Sequence, residues 1–277
     1  MWCTDDDCTW KNYHPYIFAL DDTPSVSAKA FAQEVAKLEI SRWSTVAASV
    51  AYGHKFTDAF KFELKALRPD VEFISEQWPA MFKTDMGPVV QAVKSTDPQG
   101  VFLILFGQDL FEYIREAKKR GISKSVLHVA PSLGWPEEME VMGDEVPEGW
   151  LVMGYPGDEL AMPEHLEFRR RYEARFDQSL GFSGLDGHLL FTLFKNAVEK
   201  AGSVDAEAIV KAAEGLTIDT PIGDVSMRAI DHRSTRGYWI GRTVYRNGKP
   251  TIENYNRSDV EKLSPSDEWI LAQRATK

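Results

Sequence analysis

The chain has 277 residues, close to the size at which one hydrophobic core stops growing and a chain divides in two. Hydrophobic residues at 43% and charged residues at 27% are ordinary for a globular protein. A net charge of −10 argues against a nucleic-acid partner, because phosphate binding needs clustered Lys and Arg; its plain reading is solubility.

The first residues, MWCTDDDCTW, lack the basic and apolar regions of a signal peptide, and no apolar run is long enough to span a bilayer. Taken at face value the chain reads as soluble and without an export address. Residues 1–15 read as polar loop, with an acidic triplet at Asp5-Asp6-Asp7. Cys3 and Cys8 are the only cysteines. They form a disulfide in an oxidising compartment or stay as two idle thiols; with only His14 nearby, a zinc site lacks ligands.

Tyr16 to Leu20 reads as a short strand, broken at Asp21-Asp22-Thr23-Pro24. Val26, Ala30, Phe31, Val35 and Leu38 recur at helical spacing over 25–38. A strand through Thr45 then stops at Tyr52-Gly53-His54, which reads as a tight turn before a helix from about Lys55 to Leu67. Val71 to Trp78 alternates as a strand, and Met86 to Lys94 is a shorter helix. Gly100 to Phe106 (GVFLILF) is continuously apolar, as a central parallel strand buried on both faces would be. Asp109 and Glu112 have the spacing of a capped helix start, and that helix stops at Gly121. The next strand, Ser125 to Val129, leads into Ala130-Pro131-Ser132-Leu133-Gly134-Trp135. Strand and helix therefore alternate from 16 to 135, the pattern of a parallel, doubly wound α/β sheet.

After a strand at Trp150 to Met153 the character changes. Pro163 to Leu180 is a charged surface helix, Asp186 to Ala201 a more apolar one, and Asp205 to Ala213 a third. From Pro221 the pattern returns to β, with runs at 223–227 and 238–245 and a hairpin turn at Asn247-Gly248.

No phosphate-binding loop and no dinucleotide fingerprint follows any strand, so no cofactor is expected. Gly181-Phe182-Ser183-Gly184-Leu185 falls short of a nucleophile elbow, and no histidine has a second His or Cys at metal-ligand spacing. His232 lies beside Asp231, but neighbours on a strand point to opposite faces, so a structural histidine is the better reading. What remains is geometric. In an open parallel sheet, ligands bind beyond the carboxyl ends of the strands. Three strand ends meet that edge: Tyr52-Gly53-His54, Phe106-Gly107-Gln108-Asp109 and Ser132-Leu133-Gly134-Trp135. Together they supply aromatic walls and a few directional polar groups, the make-up of a small-molecule pocket.

Several short motifs, in order, resemble the type I periplasmic binding proteins of the branched-chain amino acid and amide class, which deliver substrates to ABC importers. They are His14-Pro15-Tyr16-Ile17-Phe18, Tyr52-Gly53, Thr84-Asp85-Met86, and Ile114-Arg115-Glu116-Ala117 with Gly121-Ile122. Later come Ala201-Gly202-Ser203, Thr220-Pro221-Ile222-Gly223 and Arg228-Ala229-Ile230-Asp231-His232-Arg233. The resemblance implies two lobes closing on a ligand, with crossing strands near Asp21, Tyr155 and Pro221. Residues 1–20 and 156–221 would form an N-terminal-type lobe, and 21–155 with 222–277 the C-terminal-type, ligand-binding lobe. The family's first βα units have no counterpart, so the first lobe is expected to be incomplete. Its helices would then expose an apolar face through which the chain self-associates.

By the same resemblance the chain is a non-catalytic solute receptor of an ABC importer, extracytoplasmic, with the membrane permease as partner. Tyr52 would give an aromatic wall and a hydroxyl, Phe106 a second wall, and Gln108 and Ser132 hydrogen bonds, with His54 and Trp135 beside them. Amino-acid binders of the family place a Glu after the strand ending here at Val129; this chain has Pro131-Ser132-Leu133. An unpaired buried ammonium is costly, so an amide, an aromatic acid or another small carboxylate fits better than a branched-chain amino acid. The alternative is a cytoplasmic ligand-sensing regulatory protein on the same fold. An enzyme ranks third, because no catalytic constellation is visible.

Overall fold

A computed structural model describes residues 5–21, 23–157, 160 and 162–274. The elements in chain order are α1 (Pro24–Val35), β1 (Arg42–Ala47), α2 (Ala51–Leu67), β2 (Glu72–Gln77), α3 (Met86–Ser95), β3 (Gly100–Ile104) and α4 (Gly107–Lys119). Then come α5 (Ile122–Ser125), β4 (Leu127–Val129), α6 (Pro136–Met142), β5 (Leu151–Gly154), α7 (Pro163–Phe176), α8 (Phe182–Ala201) and α9 (Ala206–Ala213). The chain closes with β6 (Thr217–Ile218), β7 (Val225–Ser226), β8 (Trp239–Arg246), β9 (Lys249–Arg257), α10 (Val260–Leu263) and α11 (Asp267–Arg274).

Two compact units divide the chain: residues 1–26, 160–237 and 258–277 form one, and residues 27–159 and 238–257 the other. The second holds a seven-stranded sheet in the order β2-β1-β3-β4-β5-β8-β9. Its first five strands are parallel, and the hairpin β8–β9 adds antiparallel to β5. β3 is buried along its whole length between β1 and β4, as its unbroken apolar sequence requires. On one face, Phe31 of α1 and Phe56 and Phe60 of α2 pack on Phe102, with Phe60 stacked 3.9 Å from it and Trp43 5.6 Å from Phe60. Another cluster gathers Val89, Val90 and Val93 of α3 and Leu110, Ile114 and Ala117 of α4 with Val101, Leu103 and Val152.

Three local expectations change. Tyr52-Gly53-His54 is not a separate turn, because α2 starts at Ala51 after an extended Val50. A Cβ on Gly53 would lie 2.2 Å from the Ala48 carbonyl oxygen, so glycine lets the first helical turn press directly on the strand end. Asp109 does not cap α4: Phe106 is the N-cap, and the Asp109 carboxylate accepts instead from the Phe82 backbone N–H at 2.8 Å. The expected strand from Ser125 is shortened, since 122–125 forms α5 after left-handed Gly121, and β4 begins at Leu127.

His128 of β4 is fully buried, stacked 4.0 Å from Trp150, with Nδ1 3.0 Å from the Val126 carbonyl and Nε2 3.3 Å from the Tyr113 hydroxyl. Burial pushes its imidazole down to about 4 from an ordinary value of 6.5. The unfolded chain therefore binds the proton first, so this contribution to stability is complete above about pH 6.5 and is lost as the pH falls towards 4. A pH series of denaturation midpoints checks this; His128→Gln should remove that part of the acid slope.

The other unit packs α7, α8, α9, α10 and α11 with a two-stranded sheet, β6–β7. Residues 16–20 are not a strand; only Ala19 bridges, in parallel, to Arg233. Side chains fix that segment. Arg233 donates to Thr9 Oγ1 at 2.6 Å and to the Asp21 carbonyl at 2.9 Å, and Ser234 N donates to the Ala19 carbonyl at 3.0 Å. Trp10 donates to Asp231 at 3.1 Å and meets Trp269 edge-on at 5.3 Å. These bonds hold 222–237 and the C-terminal helices with residues 5–21, whereas the sequence reading grouped 222–277 with the other lobe. Cys8 is disulfide-bonded; Cys3 lies outside the described residues.

Candidate functional site

The strand order β2-β1-β3-β4-β5 reverses direction between β1 and β3. In doubly wound sheets such a switch point opens a crevice at the carboxyl ends of the two strands, because their connections leave to opposite faces. Tyr52 follows β1 and Phe106 follows β3, so the two rings flank that point. Their centroids are 5.7 Å apart, and Tyr52 also meets Phe56 edge-on at 5.6 Å. Both rings are half-buried.

The remaining residues of the expected set divide. His54, exposed in the first turn of α2, stacks on Trp78 beyond β2 with ring centroids 4.0 Å apart. Gln108 is exposed and donates its amide to Glu112 at 2.9 Å, on its own helix. Ser132 is buried in a single helical turn, Pro131–Leu133, and half-buried Trp135 is the N-cap of α6. Gly134 and Gly154 bridge in parallel, which fixes this turn to the end of β5. Of the expected crossing residues, Asp21 is buried with its carboxylate 3.0 Å from Arg236, and Tyr155 is buried with its ring 5.9 Å from Trp239. Pro221 lies inside the first unit: the chain changes unit after residues 26, 159, 237 and 257.

Sequence reasoning missed three side chains near this edge. Trp78 and Phe82 add aromatic surface, and Phe82 holds a left-handed backbone (φ 58) through the Asp109 carboxylate. Glu138, half-buried in the first turn of α6, accepts from the Gly107 backbone N–H beside Phe106. Burial, and secondarily the nearby Glu137, raise its carboxyl above the usual range against the lowering effect of that N–H. No spacing in the sequence links 138 to 107, since only the sheet order brings α6 beside the β3–α4 turn. Among the described residues, no group of three or more His, Cys, Asp or Glu could hold a metal ion. No helix described is long and apolar enough to cross a membrane.

A model of the periplasmic binding protein family matches residues 3–249. The chain belongs to that family. No curated protein sequence matches it. Among solved structures it is similar to a solute-binding protein of an ABC transporter from Rhodopseudomonas palustris BisB5 in complex with 3,4-dihydroxybenzoic acid. The TM-score is 0.78 at 22% identity, covering 91% of this chain and 70% of that one. An amino acid ABC transporter substrate-binding protein from Pseudomonas fluorescens Pf-5 gives a TM-score of 0.81 at 18% identity over 95% and 73%. A leucine-, isoleucine-, valine-, threonine- and alanine-binding protein from Brucella ovis, in a closed conformation, gives 0.79 at 19% over 94% and 69%.

Proposed function

We propose that the chain is the extracytoplasmic receptor of an ABC importer, makes and breaks no bond, and binds a small aromatic carboxylate at the β1/β3 edge. The observation that carries this is the pair of half-buried rings, Tyr52 and Phe106, at the switch point of the sheet. A flat ring packs against such an aromatic surface better than a branched aliphatic chain does, at about 0.5–1.5 kcal/mol per aromatic pair beyond area burial. The similar protein from R. palustris BisB5, bound to 3,4-dihydroxybenzoic acid, supports the same class. The membrane permease is the partner that this reading requires.

Glu138 favours a second reading. A carboxylate at the same edge could pair with the ammonium of an amino acid, the class named for the B. ovis protein. Glu138→Gln separates the two. For an aromatic acid, affinity by calorimetry should stay within about threefold, because no cation is left unpaired. For an amino acid the loss should exceed about tenfold. A thermal-shift panel of benzoate, hydroxybenzoates, neutral amides, leucine and valine identifies the class, since ligand at a hundred times its Kd adds about 2.7 kcal/mol. Stabilisation by leucine or valine but by no aromatic acid would overturn the first reading.

A further inference from the structure

One residue beside the candidate site holds a backbone conformation that its own type disfavours. Phe82, in the loop between β2 and α3, has a φ of 58°. Glycine and asparagine adopt this left-handed conformation readily, and a bulky side chain does so rarely. Such strain persists only where surrounding bonds impose it, and it gathers at ligand-binding and switch positions. The restraint here is Asp109, 3% exposed in the first turn of α4, whose carboxylate accepts from the Phe82 N–H at 2.8 Å. The positive end of the α4 dipole accounts for a carboxylate at 109, but not for its bond to residue 82. Packing of the ring does not account for the bond either, because the ring stays 59% exposed.

The anchoring of the loop shows what the strain achieves. At one end Ser49, just beyond β1, donates its N–H to the Pro79 carbonyl at 2.9 Å. At the other end Asp109 holds Phe82, and the ring lies against Gly107, where an added Cβ would sit 3.9 Å from Phe82 Cε1. The loop is thus tied to the carboxyl ends of both β1 and β3, and it presents the Phe82 ring beside the residue that follows Phe106. With Tyr52 and Phe106 only 5.7 Å apart, a third ring at this edge adds an aromatic face that favours flat ligands. We infer that Phe82 is a specificity-determining wall of the β1/β3 site and that Asp109 is its positioning residue, acting through the Phe82 N–H. This rests on the reading of that edge as an aromatic-acid site.

Phe82→Gly separates binding from stability, because glycine takes this φ without strain. The variant should melt no lower than the wild type, yet bind 4-hydroxybenzoate at least about tenfold more weakly by calorimetry, the loss expected of an aromatic anchor. Phe82→Tyr keeps the ring and should bind within about threefold of the wild type. Asp109→Ala should also weaken binding, but should weaken it no further in the Phe82→Gly background, since it acts through that ring. Asp109→Asn retains an oxygen that accepts from the Phe82 N–H and should keep most of the affinity. Where Asp109→Ala does not melt cooperatively, Phe82→Gly alone decides. Wild-type affinity in Phe82→Gly, or losses in the two variants that add in full, would overturn the inference; weakened binding by Tyr52→Ala in the same series would leave the site itself standing. A wild type that does not bind 4-hydroxybenzoate would overturn both.

Discussion

Replacing Arg236 by Ala should cost about 3–5 kcal/mol of folding stability, the range for removing one partner from a buried ionic group. Arg236 is wholly buried, with its guanidinium 3.0 Å from Asp21 and 3.2 Å from Asp186 and 4.7 Å from the centre of the Phe182 ring. Asp21 and Asp186 are themselves buried, so without the guanidinium two carboxylates would face each other in a poorly solvated space. The loss is thus mainly the cost of stranded charge rather than the net worth of the ion pairs. Two companion variants make the argument specific. Arg236→Lys keeps the charge but loses the planar fork that reaches two carboxylates, so it should recover only part of the stability. The triple variant Arg236→Met, Asp21→Asn, Asp186→Asn should recover more, because no charge is left buried. Urea denaturation at neutral pH measures all three. A cost under about 1 kcal/mol for Arg236→Ala would mean that the group is solvated and does not anchor this unit.

Gly154→Ala should destabilise the other unit by about 3 kcal/mol, at the upper end for forced overpacking, and should impair binding as well. The reason is space rather than backbone conformation. An added Cβ at Gly154 would fall 1.8 Å from the Gly134 carbonyl oxygen, and one at Gly134 2.3 Å from the Met153 carbonyl oxygen. Backbone faces backbone at this bridge, so no side chain can swing aside. The β4–β5 contact would have to open, and the turn carrying Ser132 and Trp135 would move with it. Gly149 provides the contrast. Its Cβ would touch nothing within 4 Å, so Gly149→Ala carries only the strain of its φ of 82°, about 1 kcal/mol. Comparable melting temperatures for the two variants would contradict this account of the bridge.

Much of the second unit was legible because its signals are local. The unbroken apolar run of β3 could belong only to a strand covered on both faces, and the Asn247-Gly248 turn marked the β8–β9 hairpin. Tyr52 and Phe106 followed from the rule that ligands meet strand ends, and the observed order places both at the switch point. The first unit was harder, because its order depends on contacts between distant residues. Ala19 bonds across to 232–234 and Trp10 to Asp231, and neither pairing leaves a periodicity in the chain. Residues 16–20 therefore look like a strand while forming one bridge. Within the site, Gln108 was expected to face a ligand, yet its amide reaches Glu112 four residues on, a helical spacing visible only once α4 is known to start at Gly107. Glu138 could not be found by spacing, since it reaches the β3–α4 turn only through the packing of α6.

The most direct test of the central claim is calorimetric titration of 4-hydroxybenzoate into the wild type and into Tyr52→Ala. Tyr52 meets Phe106 and Phe56 through its ring while half-exposed, so the variant should keep its melting transition. The account predicts saturable one-to-one binding to the wild type and affinity weaker by roughly tenfold or more in Tyr52→Ala. Equal affinity in the two proteins would contradict the placement of the site at the β1/β3 edge.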